Sequence, residues 1–151
     1  MARNGVKLEG FEGLSANLKN LEKASTRTSA VRSAMRKAAK PVIESAKSNV
    51  AVDSGALRDS IGIGSTLNKS QRRQAKASKE KGAVTQYLGS GGKGARHSHL
   101  VEFGTVDQPA RPFLRPAWDS GKDQYLKDLS TEMQKHITKA LKRQERRRNG
   151  N

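Results

Sequence analysis

The chain of 151 residues has no cysteine, which excludes disulfides, thiolate metal sites and cysteine nucleophiles. Aromatic residues are scarce, at 4% of the chain, and hydrophobic residues reach only 33%. The mean hydropathy is −0.82. At this length one domain is expected, able to bury about 70% of its unfolded surface. With so little apolar material, the core must be compact, and polar segments stay solvated or are buried against partner subunits. No apolar run approaches a membrane span, and MARNGVKLEGFEG lacks the apolar centre of a signal peptide. A cytoplasm-like compartment is therefore expected, with no membrane partner.

Acidic residues are few as well. Thirty Lys and Arg face fourteen Asp and Glu, a net charge of +16, with a pI near 10.6. Such a balance favours acidic partners such as nucleic acid and carries no information about the fold. The charge is concentrated in two runs. Lys69 to Lys81 holds six basic residues and one acid, and Lys135 to Arg148 holds seven and one. Each run reads either as a solvated face or as a phosphate-facing surface. Neither has interleaved aromatics for base stacking, so any nucleic-acid contact would be blind to sequence. In the first run the candidate contacts to phosphate or an acidic partner are Lys69, Arg72, Arg73, Lys76, Lys79 and Lys81.

Motifs of catalysis are missing. GSTLNKS, from Gly64, lacks the glycine that a phosphate-binding loop places directly before its lysine. GSGGKGAR is not followed by a βαβ unit. His97 and His99 have no third ligand fixed by spacing, so they read as part of a polar loop. His136, on the last helix, reads as solvated or in a cap region. No nucleophile elbow or carboxylate pair is present. No enzyme, metal or cofactor is expected.

Periodicity supplies the elements. Phe11, Leu14, Leu18 and Leu21 predict a short helix over 12–23. Val31, Ala34, Met35, Ala38, Val42 and Ala46 predict a second helix reaching about Asn49, kinked or broken at Pro41. Asp53, Ser54 and Gly55 form a turn before a strand holding Ile61 and Ile63, and AVTQYLGS is its partner strand. The segment 67–82 reads as a long mobile loop. HLVEFG is either a strand or one helical turn closed by Gly104. The last helix is expected from about Pro116, a good first-turn residue. Leu126, Leu129, Met133, Ile137, Ala140 and Leu141 form its apolar face, and a basic tail over 144–151 is expected to fray.

The densest stretch is His99 to Asp119, HLVEFGTVDQPARPFLRPAWD, which contains three of the four prolines and the only tryptophan. Pro109, Pro112 and Pro116 fix backbone dihedrals around Phe113, Leu114 and Trp118. This is a rigid apolar hinge, and Phe113 and Leu114 read as core. Glu102, between Val101 and Phe103, is awkwardly placed for a charge. Arg111 and Arg115 are its candidate partners, within one subunit or across two.

Three blocks, VAVDSGALRDSI (50–61), HLVEFGT (99–105) and ARPFLRPAWD (110–119), occur in an order that resembles the head–tail joining, or tail-completion, proteins of long-tailed bacteriophages. The resemblance spans about Gly13 to Leu141, and the third block is its most specific part. It implies an α+β fold, taken here as an antiparallel sheet of about four strands packed against two long helices, with the long basic loop. It also implies a structural virion protein, assembled in the host cytoplasm into a ring, commonly of six, at the head–tail junction. Its implied partners are further copies of itself, a head-side connector, a tail tube or tail terminator protein, and double-stranded DNA held without sequence preference. The rival reading is a free, sequence-nonspecific nucleic-acid-binding protein.

Overall fold

A computed structural model of the protein describes residues 13–21, 23–50, 55–67, 69, 83–92 and 96–150. Phe11, Asp53 and Ser54 lie outside these residues, as does most of the segment 67–82. The described residues belong to two compact units, one of Met1–Ala38 with Leu126–Asn151, the other Ala39–Tyr125.

In the first unit, Gly13 at φ 80° starts helix α1 (Leu14–Lys19). Leu21 follows the helix and is fully buried. Its carbonyl accepts a hydrogen bond from Arg27 Nε at 2.8 Å. Helix α2 (Ala24–Ala38) buries Ala30, Ala34 and Ala38 at four-residue spacing. Methyl-sized side chains on one stripe allow close approach of a neighbouring helix. The core joins Leu14 and Ala34 to Met133 and Ile137, flanked by Leu18, Val31, Leu129 and Leu141.

The break expected at Pro41 is present. Helix α3 (Lys40–Asn49) has Ala39 as its N-cap and Pro41 in its first turn, where a missing N–H costs nothing because those N–H groups have no partner within the helix. A five-residue helix, α4 (Ala56–Ser60), then precedes strand β1 (Ile61–Gly64). The sequence had indicated only a turn there. Strand β2 (Tyr87–Ser90) pairs antiparallel with β1, Ile61 opposite Ser90 and Gly64 opposite Tyr87.

The expected sheet of about four strands is corrected to two among the described residues. HLVEF, the ambiguous segment, is helical: α5 (Ser98–Phe103) is closed by Val101 N–H donating to His97 O and Gly104 N–H to Leu100 O. With that segment coiled, its apolar residues no longer alternate between two faces, and a third strand has nothing to build it.

The last helix, α6 (Leu114–Asn149), starts two residues before Pro116. Residues 144–149, expected to fray, are its final turns. In the second unit the core is Val42, Ala46, Val50, Ile61, Phe113 and Ala117, with Leu57, Leu88, Val101 and Tyr125 packed on it. Phe113 directly precedes α6 and Ala117 lies in its first turns, so the expected core role of Phe113 is realised there.

Gly121 lowers helix propensity in α6 by about 1 kcal/mol against alanine, yet a Cβ there would lie 2.9 Å from Cγ2 of Val42. Val42 is branched and buried, so it has little room to yield. Gly121→Ala should therefore lower stability by about 1–2 kcal/mol net, overpacking outweighing propensity. In a Val42→Ala background that cost should disappear. Denaturant midpoints measure both, and an unchanged midpoint for the single variant would show that Val42 moves aside.

Candidate functional site

The site is built around one carboxylate. Glu102, on α5, is 6% exposed and is the sole buried polar or charged residue among the described residues. Its Oε2 accepts hydrogen bonds from Phe113 N–H at 2.8 Å and Leu114 N–H at 3.0 Å. Its Oε1 accepts from Arg115 N–H at 3.1 Å. These are the first N–H groups of α6, which have no acceptor inside the helix. They also lie at the positive end of its macrodipole. Glu102 is thus a helix cap supplied from a different element. Burial alone pushes its carboxyl up, but the three amides and Arg115 outweigh that and hold it below its ordinary value.

The two arginines foreseen as partners contribute unequally. Arg115 Nε is 3.9 Å from Oε1, within the same chain, while its own side chain is 63% exposed. Arg111 is exposed and contributes its backbone instead, donating N–H to Val101 O at 2.8 Å. Backbone amides therefore hold the buried charge, with one loose guanidinium outside.

The loop between α5 and α6 is closed on itself. Thr105 N–H donates to Gln108 O at 2.8 Å, and Gln108 N–H donates to Thr105 Oγ1 at 3.0 Å. Gly104 adopts φ 77° and ψ 178°, a region open only to glycine. A Cβ there would meet Ala110 N at 2.7 Å. Of the proline hinge, Pro109, Pro112 and Pro116 face solvent, Phe113 is buried and Leu114 is half-buried. Asn49 Nδ2 donates to Phe113 O at 3.3 Å, tying the hinge to α3.

This frame presents apolar side chains to solvent. Leu100, Phe103, Val106 and Trp118 are the exposed large hydrophobics among the described residues, and Val106 is completely exposed. Arg115 stacks over Phe103, its Cζ 4.5 Å from the ring centre, a cation–π contact. Trp118 lies against Tyr125 with ring centres 5.4 Å apart. Composition alone could not single out Phe103 and Val106, because exposure is settled by which face of α5 turns inward and by how the loop after it folds.

In the first unit, Glu132 collects cations. Lys135 Nζ is 2.9 Å from Oε1, and Lys37 Nζ is 3.3 Å from Oε2, close enough for an ion pair without hydrogen-bond alignment. The hydrogen bond from Lys135, with Lys37 adding to it, holds the Glu132 carboxyl below its ordinary value despite burial. His136, read as solvated, has its Nε2 buried 3.9 Å from Glu132. Burial and the nearby Lys37 push its imidazole below the ordinary range, against the pull of Glu132.

Lys69 is exposed. Arg72, Arg73, Lys76, Lys79 and Lys81 lie outside the described residues, as does the expected mobility of their segment. No group of three or more His, Asp or Glu among the described residues is placed to hold a metal ion. No helix among them is long and apolar enough to cross a membrane.

No curated protein and no solved structure matches the chain significantly. The model of one family, HK97-gp10-like, described as "Bacteriophage HK97-gp10, putative tail-component", matches residues 12–104. That span holds α1 to α5 and stops at Gly104, before the proline-rich block ARPFLRPAWD. With more than half of its length matched, the chain belongs to the HK97-gp10-like family of bacteriophage tail components.

Proposed function

We propose that this tail-related structural protein acts by assembly, as the subunit of a ring at the head–tail junction that joins a head-side connector to the tail tube or terminator and surrounds the exiting DNA. The carrying observation is the exposed Leu100, Phe103, Val106 and Trp118 on a frame whose backbone Glu102 and Gly104 hold in place. Apolar side chains on a pre-shaped surface bury area against a neighbour with little ordering cost. In this reading the neighbour is a second copy of the chain. The role needs no catalytic group.

A Phe103→Glu, Val106→Glu double variant tests this. Both side chains are exposed, so the isolated chain should keep its fold and melting temperature. Phage carrying the variant should accumulate unjoined heads and tails. Joined, infectious particles at wild-type yield would remove these residues from the interface, and particle images without a ring of this chain at the junction would end the ring reading.

The rival, a free sequence-blind nucleic-acid-binding protein, has the net charge of +16 behind it. It predicts a protein absent from purified virions.

A further inference from the structure

The second basic run is now placed on a surface. Met133 and Ile137 of α6 face the core of the first unit. At about 100° per residue, Lys135, Lys139, Lys142 and Arg146 fall within an arc of about 60° on the opposite side. Together with Arg143 they border one shallow open depression along the helix, beside Thr131 and Thr138. The stripe repeats at steps of four, three and four residues and extends about 16 Å at the rise of an α-helix.

Most of this charge is uncompensated. Lys135 is paired with Glu132, whereas the side chains of Lys139, Lys142, Arg143 and Arg146 have no hydrogen bond or ion pair among the described residues. Favourable interaction with the C-terminal end of the helix dipole accounts for Arg146, Arg147 and Arg148, in the last turn. It does not account for Lys139, Lys142 and Arg143, which precede that turn. The threonines add no free donors, because Thr131 Oγ1 donates to Lys127 O and Thr138 Oγ1 to Gln134 O. Apart from the amide of Gln134, the face therefore offers regularly spaced cations.

We infer that this outer face of α6 binds the phosphate backbone of double-stranded DNA without regard to sequence. A membrane-surface helix needs an apolar face to bury in the lipid, and here the apolar face is used in the core. Single-strand binding leans on aromatic platforms, and the depression has no aromatic residue. A duplex presents a regular lattice of phosphates, one per strand for about every 3.4 Å of helix axis, which long lysine and arginine side chains at helical spacing can track. The inference deepens the ring reading by naming the surface that meets DNA, and it rests on that reading only for its biological setting.

The test uses the isolated full chain and short fluorescent duplexes of unrelated sequence, with binding followed by anisotropy between 50 and 200 mM salt. A variant carrying Lys139→Ser, Lys142→Ser, Arg143→Ser and Arg146→Ser should keep its helical circular dichroism. The slope of log affinity against log salt should become shallower by about 3–4, because each phosphate contact contributes about 0.9. A control losing the same charge elsewhere, Lys19→Ser, Arg36→Ser, Lys40→Ser and Lys122→Ser, should retain most of the wild-type slope. Equal losses in variant and control would overturn the inference, leaving net charge alone. So would a tenfold preference between duplexes, or displacement of DNA by poly-glutamate at equal charge, which would point to an acidic protein. Because no particle is involved, failure here leaves the junction ring standing, and failure of the ring leaves this binding standing.

Discussion

Replacing Glu102 with alanine should destabilise the protein by about 3 kcal/mol, lowering the melting temperature by roughly 10 °C. Three N–H groups at the start of α6 lose their acceptor at once. Phe113 N–H is buried and cannot turn to water, while those of Leu114 and Arg115 are only partly covered, which keeps the cost below three full penalties. The guanidinium adds little, because Arg115 is largely exposed and rehydrates when its counter-charge goes. Arg115→Ala should therefore cost less than about 1 kcal/mol. Equal effects at the two positions would mean that the ion pair, not the cap, holds the carboxylate. Loss from Glu102→Ala should appear in the isolated chain, since every partner is within it.

The acid limb follows from the same geometry. The carboxyl of Glu102 is held below its ordinary value of 4.5, so the unfolded chain takes up the proton first as pH falls. The stabilisation is complete above 4.5 and is lost progressively as pH drops towards the depressed folded value. The gap between wild type and Glu102→Ala should thus be constant at neutral pH and narrow on the acid side of 4.5. A gap that widens with acid would contradict the cap.

Gly104→Ala should cost about as much, about 3–4 kcal/mol. Part is backbone strain, since φ 77° with ψ 178° is closed to residues with a Cβ. The rest is collision, because the methyl would lie 2.7 Å from Ala110 N and 3.0 Å from Gln108 O, both backbone atoms. Opening that loop also separates Glu102 from the amides it caps. Gly92 is the control: it too has positive φ, at 66°, but a Cβ there meets nothing within 4 Å. Gly92→Ala should cost only about 1 kcal/mol, for strain alone. Equal midpoints for the two variants would show that the contact at Ala110 relaxes freely.

Much of the architecture was legible in the residues because it rests on short-range chemistry. The leucine spacing of α1, the break before Pro41, the strand around Ile61 and its partner at Tyr87–Ser90 depend on periodicity and on backbone rules that act within a few residues. The absence of cysteine and the weight of basic charge needed no structure at all. What only the tertiary structure decided is which distant groups meet. HLVEF has apolar residues compatible with a strand, yet it coils, and Glu102 then reaches the N–H groups of Phe113, Leu114 and Arg115, eleven to thirteen residues on. Charge pairing was the natural sequence-level answer for Glu102, since arginines are visible in a sequence and unsatisfied backbone amides are not. Likewise, seven basic residues near the C-terminus are a composition until the burial of Met133 and Ile137 sets the rotation of α6. Once that apolar face is committed to the core, the helical period leaves Lys139, Lys142 and Arg146 together on the outside.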